Sequence, residues 1–597
     1  MPATQRFSWM TLLGVVALGA AVIGALATFA PPGVFRPSSV RNPAENSPPI
    51  AETRAPYPRA AKPAPPEDGF VGSRACAACH AGICDAFALH PMGHSSALTP
   101  GPADIEDFSP ARTTFRDGSG TTYKIEKTAD EIVHHEIGGA SGQGYDLAAS
   151  VQLALGSGAR GKTYGVNRDG LFYESPISWY STEGGRWDLS PGYEHNNVRF
   201  NRALGAECLA CHVGRMTPDP EQPHRFLPPY FQELSIGCER CHGPGQQHVR
   251  LQETSAGRHA DQLIVNPGKL APRLRESICH ECHFHGKLRV LRYGRKPTDF
   301  RPGKPLEDTW LIFTGGESVL EDGTTKAVSQ VEQMHASRCY AQSDGKLGCI
   351  SCHDPHARPA QGKSAAHYQL KCNACHAQRG CTLPLEKRQA PPANDSCIYC
   401  HMPSRSAHDI VHASQTDHRV LRDPEASTAL SEPSSAAATA WQMFDADHLQ
   451  LPDWERDRAL GLAAVYQAQT EKGNSAKYWA EAERLLLPLQ ATAPDDGPLL
   501  SAVASIHLAR KRTQTARECL LKIVALEPKN DAYREALAEA YVSEGNLSAA
   551  AEQLAEALRL NPWAPARWTQ QAELLSRLGK PAEAKEAASG AAKLDPR

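Results

Sequence analysis

Hydrophobic residues follow a different pattern in each part of the chain, and the first of these patterns is continuous. Met10 to Ala30 is a run of 21 residues without a charged side chain. A helix needs about 20 such residues to span a bilayer, whereas the apolar core of a secretory signal has about 7–15. The run predicts that residues 1–30 form an N-terminal membrane anchor. A cleaved signal sequence is the alternative, with Ala25-Leu26-Ala27 as the cleavage region.

The next segment, residues 31–68, has no apolar period and is rich in proline. Prolines at this density favour an extended, semi-rigid conformation of the polyproline type. We expect a linker that holds the rest of the protein away from the membrane.

Residues 110–190 contain no cysteine and alternate loosely between apolar and polar positions, as in TTYKIEKTADEIVHHEIG. Glycine and aspartate mark turns before this stretch, so the pattern predicts β-hairpins and a small β-rich insertion at about 110–190. His134 and His135 are adjacent, and on a strand they would point to opposite faces.

The C-terminal part changes to Ala, Leu, Glu and Arg after a connector at residues 431–455. Several small residues and prolines recur there at one fixed spacing: Gly545 and Gly579; Ala516, Ala550 and Ala584; Pro494, Pro528, Pro562 and Pro596. The spacing is that of tetratricopeptide repeats, about 34 residues, in which small alanines let paired helices approach. Residues 456–597 are therefore predicted to form an α-solenoid whose concave face binds a partner protein.

Between these parts the chain repeats one short motif, C-x-x-C-H, seven times. The cysteine pairs are Cys76/Cys79, Cys208/Cys211, Cys238/Cys241, Cys279/Cys282, Cys349/Cys352, Cys372/Cys375 and Cys397/Cys400. The histidines that follow are His80, His212, His242, His283, His353, His376 and His401. This is the attachment sequence of c-type haem: two thiols bond the haem, and the histidine provides the proximal iron ligand. The motifs predict about seven covalent haems.

Zinc binding and thiol redox chemistry account for the motif less well. Structural zinc uses paired C-x-x-C groups but does not need a histidine after every second cysteine. A thioredoxin-like redox site would contain one C-x-x-C in a βαβ context, not seven. The seven motifs use fourteen of the eighteen cysteines, so chance does not explain them.

Composition agrees with a mainly α fold in which a loop-rich haem domain, residues 69–430, precedes the solenoid. Aromatic residues are only 7% of the chain, while glycine and proline number 46 each. Flat apolar macrocycles would then replace side chains as core material. The net charge of −3 gives no reason to expect a nucleic-acid partner.

Several motifs in this domain resemble the multihaem cytochromes related to the tetrahaem cytochrome c of nitrifying bacteria. The similar segments are GCERCHGPG from Gly237 with His248, CISCHDPH from Cys349, FRPGKPLEDT from Phe300 and CIYCHMP from Cys397. The resemblance covers roughly residues 70–420. It implies closely stacked haem pairs, many with two histidine ligands.

The resemblance also implies distal iron ligands. His248 and His356 belong to the similar segments, and His412 and His418 resemble late histidines of the family in their placement. His90 and His135 are candidates by position only, and a surface histidine pair is an alternative for His135. Seven haems need seven distal ligands, so His195, His285 and His335 compete for the last place.

Four cysteines lie outside the motifs: Cys84, Cys339, Cys381 and Cys519. In an oxidising compartment a Cys339–Cys381 disulfide is reasonable, and free buried thiols are the alternative.

The expected function is electron transfer along the haems of a membrane-tethered cytochrome that faces the bacterial periplasm, or is secreted there if the anchor is cleaved. The inner membrane and redox partner proteins, the latter bound through the repeats, are the expected partners. An oxidoreductase that acts on a small nitrogen or sulfur compound at one open haem is the second hypothesis. A scaffold with structural or sensory haems is the third.

Overall fold

The structure is a computed structural model. It describes residues 57, 59–62, 68–101, 105–139, 144–182, 184–254, 262–315, 329–377, 380–406, 414–422, 441–471 and 473–596. The apolar run from Met10 to Ala30 and the predicted ligand His412 lie outside these ranges. Within them, no helix is both long enough and apolar enough to cross a membrane.

The chain divides into two compact units. One consists of residues 64–449 with the last two residues of the chain, and the other of residues 1–63 and 450–595. We refer to them as the motif unit and the helical unit. The motif unit is therefore inserted in the sequence of the helical unit.

The motif unit contains a sheet-rich region that begins with two antiparallel sheets. One sheet has six strands in the order β1-β6-β7-β8-β10, with β9 also paired to β8, and the other has the order β2-β3-β4-β5. The strands of the first sheet are β1 (Ser96–Leu98), β6 (Leu153–Leu155), β7 (Gly161–Arg168), β8 (Leu171–Tyr180), β9 (Arg186–Leu189) and β10 (Arg202–Ala203). Those of the second are β2 (Thr114–Arg116), β3 (Thr122–Lys127), β4 (Ile132–Gly138) and β5 (Tyr145–Val151).

Three smaller sheets complete the strands of this unit. The antiparallel pairs are β11 (Arg215–Pro218) with β12 (Phe226–Glu233) and β15 (Ser404–Ser406) with β16 (Ser414–Thr416). The third sheet joins β13 (Leu288–Leu291), β14 (Trp310–Thr314) and β17 (Gln442–Met443). Strands β1 to β12 occur from Ser96 to Glu233 and include the stretch of the predicted insertion at about 110–190.

The core of the sheet-rich region explains why buried and partly buried side chains alternate along β4. His134 is fully buried beside Tyr164 and Trp187, and its Nδ1 lies 2.8 Å from the Ser175 hydroxyl. On the same strand Glu136 is buried in an ion pair with Arg199. A buried charge of this kind is tolerated because it is paired.

The motif unit also contains eleven helices within the described ranges. They are α1 (Ser73–Ala88), α2 (Ala206–Leu209), α3 (Glu239–His242), α4 (Gln246–Glu253), α5 (Pro272–His283), α6 (Gln330–His335), α7 (Arg338–Ala341), α8 (Cys349–Cys352), α9 (Ser364–His376), α10 (Leu385–Gln389) and α11 (Cys397–His401). Most are short, and each C-x-x-C-H motif lies in one of them or at its end.

The helical unit consists of four helical hairpins. The first joins α12 (Asp453–Thr470) and α13 (Ser475–Leu486). The others join α14 (Gly497–Ala509) to α15 (Thr513–Leu526), α16 (Asp531–Ser543) to α17 (Leu547–Leu560), and α18 (Pro565–Arg577) to α19 (Pro581–Leu594). The starts of α14, α16 and α18 are evenly spaced, and their spacing equals the repeat period of the sequence. This C-terminal region is helical and resembles a tetratricopeptide solenoid.

The repeated residues have the structural roles that the repeat period predicts. Ala516 and Ala550 are fully buried where paired helices meet. Gly545 and Gly579 have φ values of 79° and 73° between the two helices of their hairpins, a conformation that favours glycine. The period thus encodes both the close packing and the turns.

Candidate haem-binding centre

Two of the motif helices, α1 and α9, bury very little among the protein atoms. Helix α1 has sixteen residues and α9 has thirteen, yet neither buries a single residue among the protein atoms. In α12, by comparison, ten residues are buried. Isolated helices of this length are marginally stable, and most helices in proteins depend on the packing of an apolar face.

Large apolar side chains are exposed on these two motif helices and beside them. Ile83 is 50% exposed, Leu89 78% and Leu370 73%. A macrocycle bonded to the cysteines of the same helices would offer them a flat apolar surface. The residues present therefore fit a covalently attached haem.

The motifs meet one another through their cysteines. The thiols of four pairs lie close enough for one to shift the pKa of the other: Cys76 with Cys238, Cys211 with Cys282, Cys279 with Cys349, and Cys372 with Cys397. In motif order these contacts join the first to the third, the second to the fourth, the fourth to the fifth and the sixth to the seventh.

Further neighbours close the gaps between these pairs. Burial is the main factor that raises the pKa of Cys241 in the third motif. Cys279 and Cys282 of the fourth motif lie close enough to raise it further. Cys352 of the fifth motif is influenced in the same way by Cys375 of the sixth. All seven motifs thus form one connected series, although long stretches of chain separate some consecutive motifs.

Two motif cysteines differ from the others in their exposure. Cys79 and Cys375 are exposed, whereas the remaining motif cysteines are partly buried. The histidines that follow them, His80 and His376, are exposed as well. The sequence predicts that both thiols of a motif bond one haem, but the protein atoms do not enclose the second thiol of the first motif or of the sixth. The assignment of Cys79 as a haem-bonding residue therefore rests on its place in the motif and not on its surroundings.

Two predicted distal ligands face a motif histidine. The rings of His242 and His356 are 5.9 Å apart with an interplanar angle of 14°, and those of His353 and His418 are 6.4 Å apart at 26°. Two histidines on opposite sides of one iron have ring centres roughly 6 Å apart, because each metal–nitrogen bond is about 2 Å and each ring adds its own radius. Both pairs fit this spacing.

Backbone carbonyls fix the orientation of three histidines. The Nδ1 atom of His242 lies 2.8 Å from the Val265 carbonyl, and that of His401 lies 2.6 Å from the Leu421 carbonyl. His418 Nδ1 makes a similar bond of 2.8 Å to the carbonyl of Thr416. A carbonyl only accepts, so Nδ1 carries the hydrogen and Nε2 keeps a lone pair that is free to bind a metal.

Protein atoms around the central histidines favour their neutral form, although His212, His283 and His353 are exposed. Partial desolvation lowers the pKa of His283 and of His353, and the nearby ring of His418 lowers both further. Partial desolvation also lowers the pKa of His212, as does its neighbour His283. A neutral imidazole is the form that binds a metal.

The other predicted distal ligands have different surroundings. His90 accepts a hydrogen bond at Nδ1 from the Met92 amide, a geometry that leaves its hydrogen on Nε2. His135 lies on β4 with Nδ1 2.9 Å from a carboxylate oxygen of Asp146. His248 lies half-buried on α4.

The three histidines considered for the seventh distal ligand also differ in their surroundings. His195 is 76% exposed, and His285 is exposed as well, although partial desolvation lowers its pKa. The Nε2 atom of His335 is buried and has no hydrogen-bond partner in the described structure.

The Cys339–Cys381 disulfide is not formed in the described structure. Both cysteines are free, and each lies close to a thiol of a motif instead. Cys339 influences the pKa of Cys352, and Cys381 influences that of Cys400. Both thiols are thus free, but Cys381 is exposed and Cys339 is only partly buried, so they are not the free buried thiols of the alternative.

The sequence alone did not assign a role to two carboxylates that hold motifs in place. Glu239, inside the third motif, accepts bonds from the amides of Val71, Gly72 and Gly245. Glu276 accepts a 2.9 Å bond from the Cys349 amide. The sequence shows a glutamate between the two cysteines of the third motif. It does not show that the amides of Val71 and Gly72, which are distant in the sequence, donate to this glutamate.

Among the described residues, no group of three or more His, Cys, Asp or Glu side chains is arranged to hold a bare metal ion. Burial raises the pKa of Glu281, inside the fourth motif, to about 7, although Arg289 lies 3.4 Å away. A carboxyl group that titrates near neutrality thus lies beside the series of motifs.

Comparisons with known proteins match only part of the chain. No protein-family model matches it. The solved structure MamA MSR-1 C2 is 25% identical over 26% of this chain and 82% of its own, with a TM-score of 0.21. MamA RS-1 ArsTM double mutant is 18% identical over 25% of this chain and 79% of its own, with a TM-score of 0.22. Similarity of this extent carries no argument about function, which must be inferred from this chain's own residues.

Proposed function

We propose that the chain is a multihaem c-type cytochrome that transfers electrons along seven covalently bound haems. The connected series of motifs carries this proposal, since electron transfer between cofactors requires them to lie close together. Haem bound at each motif supplies the one-electron cycle between Fe(III) and Fe(II). The protein residues hold the positions, provide the imidazole nitrogens and set the local charge.

The assignment of ligands follows from the ring pairs. His242 with His356 and His353 with His418 would bind one iron each from both sides. Two imidazoles make an iron six-coordinate, which suits a site that passes electrons rather than one that binds substrate. The backbone bonds at Nδ1 of His242 and His418 keep the two rings in the required tautomer.

The experiment is low-temperature EPR with spin quantitation on the oxidised protein, produced in a host with a cytochrome c maturation system. Electron transfer predicts low-spin signals from all haems, because each iron has two axial ligands. About one high-spin haem per chain that shifts when nitrite or hydroxylamine is added would contradict a pure carrier.

A cavity of about 460 Å³ favours the second candidate function, an oxidoreductase. Its wall contains His280, His335 and Trp310, whose ring N atoms are buried without a partner in the described structure. Glu276, which bonds the Cys349 amide, also lines it. The volume is in the range of small-molecule sites. A substrate that reached an open iron near the fourth and fifth motifs would occupy this cavity.

The membrane and partner assignments are part of the same proposal. The apolar run from Met10 to Ala30 would anchor the chain in the bacterial inner membrane, with the haems in the periplasm. The repeat-like hairpins of the helical unit would bind the redox partner. Deleting residues 450–597, which leaves β17 and residues 64–449 of the motif unit in place, tests the second point: electron delivery in membranes should fall, and unchanged delivery would rule the repeats out as the binding site.

A further inference from the structure

A short segment of the predicted linker lies on the helical unit. The Tyr57 hydroxyl donates a hydrogen bond of 2.6 Å to Asp457 on α12. Further along the segment, the ammonium of Lys62 lies 2.9 Å from a carboxylate oxygen of Asp495, just before α14. Both partners belong to the C-terminal part of the chain, so neither contact follows from local sequence.

The backbone of the segment is bound as well. The Ala60 amide donates a 2.8 Å hydrogen bond to the carbonyl of Thr492. Thr492 is buried, and its carbonyl lies between the helical turn Leu487–Gln490 and the start of α14. A side-chain bond at each end and a backbone bond in the middle define one register for the segment.

The charges of the two surfaces are complementary. Asp457 and Asp495 are acidic, while Lys62 faces Asp495 and no acidic residue lies between residues 57 and 62. Lys62 and Asp495 are 53% and 32% exposed, so salt would screen their attraction. The ion pair therefore contributes mainly to selection of the register, and the two hydrogen bonds contribute to the binding.

We propose that Tyr57–Lys62 is an intramolecular ligand of the first hairpin of the helical unit. We name this segment the clip. The clip ties the chain before residue 64 to the chain after residue 449, so the motif unit is inserted between two segments that bind each other. A protein that binds the helical unit must use another surface or displace the clip.

Hydrogen–deuterium exchange on the full-length protein tests the clip through the Ala60 amide. We expect this amide to exchange about tenfold or more slowly than an unstructured amide. At low ionic strength, Lys62→Asp and Asp495→Lys should each reduce the protection by placing like charges together. The double variant should restore it, because the charges are then exchanged. Tyr57→Phe should reduce it, since the hydrogen bond to Asp457 is lost.

Arg59→Ala is the matched control, because Arg59 is exposed and lies within the clip. It should leave the exchange of Ala60 unchanged. Amides of α12 to α19, measured in the same samples, show whether a variant still folds. Protection of Ala60 that is insensitive to the two charge reversals would overturn the proposal. So would an unprotected Ala60 in the wild type.

Dilution separates the intramolecular arrangement from exchange between two molecules. A clip bound within its own chain gives the same protection at every protein concentration. Protection that falls on dilution, or a mixed complex between a Lys62→Asp and an Asp495→Lys chain, would show binding between copies and would contradict the proposal.

Discussion

Glu239 is the residue whose replacement tests the architecture of the motif unit most sharply. Its Oε1 atom accepts from Val71 at 3.0 Å and Gly245 at 2.7 Å, while Oε2 accepts from Val71 at 3.1 Å and Gly72 at 2.7 Å. Glu239 is 3% exposed. Through its carboxylate the third motif holds the residue at the N-terminus of α1, which contains the first motif.

Glu239→Gln preserves the shape of the side chain and removes one acceptor. Whichever oxygen becomes the amide nitrogen, one of the two closest donors, Gly72 or Gly245, then faces another donor. An unsatisfied buried backbone group costs about 1–3 kcal/mol, and loss of the charge weakens the remaining bonds. We expect local opening of the Gly72 region to become about 2–3 kcal/mol easier, which corresponds to roughly 30- to 150-fold faster exchange.

The assay is hydrogen–deuterium exchange of peptides that cover residues 69–75 in the full-length, haem-loaded protein. Glu253→Gln is the control, because Glu253 is an exposed glutamate on α4. It should leave these amides unchanged. If Glu239→Gln changes their exchange no more than the control does, the carboxylate does not hold the first motif to the third.

Three further predictions concern other parts of the chain. His356→Ala should convert about one low-spin haem per chain to high-spin in EPR, because the second imidazole opposite His242 is lost; His448→Ala, at a 72% exposed side chain, should not. Arg567→Ala should lower the stability of the helical unit by about 3–5 kcal/mol in urea unfolding, because Asp531 and Glu535 are left buried and without this partner; Arg559→Ala, which breaks only an exposed pair, should change the stability far less. Burial, followed by repulsion from Glu535, raises the pKa of Glu539 from 4.5 to about 8. Between these two pH values the folded unit keeps a proton on Glu539 that the unfolded chain releases. The contribution of Glu539 to the free energy of unfolding is therefore fully present below pH 4.5, and it falls by up to about 1.4 kcal/mol per pH unit as the pH rises to 8. Glu539→Gln should flatten this profile, and an unchanged slope would contradict the assignment.

Local and periodic features could be predicted from the sequence. The C-x-x-C-H spacing is local, so the seven motif positions needed no knowledge of the fold. The repeat period placed Ala516 and Gly545 where the helical hairpins pack and turn. The haem itself stays a prediction, since protein atoms alone do not test it.

Long-range contacts could not be predicted. The strand Leu171–Tyr180 is buried on both faces and therefore shows no alternation in the sequence. The ring pair of His242 and His356 joins residues that are distant in the sequence. The hydrogen bonds from Val71 and Gly72 to Glu239 do so as well. The contacts of the clip could not be predicted for a different reason. A proline-rich composition predicts an extended segment, but it does not show which surface that segment binds.

The mass of the intact protein, purified from a host with a cytochrome c maturation system, decides whether the motifs attach haem. Attachment at every motif predicts a single dominant species whose mass exceeds that of the polypeptide by seven haems. Replacing both cysteines of one motif, such as Cys76 and Cys79, by alanine should remove one haem from that mass. A polypeptide mass without haem, or a mass explained by bound zinc, would contradict haem attachment at these motifs.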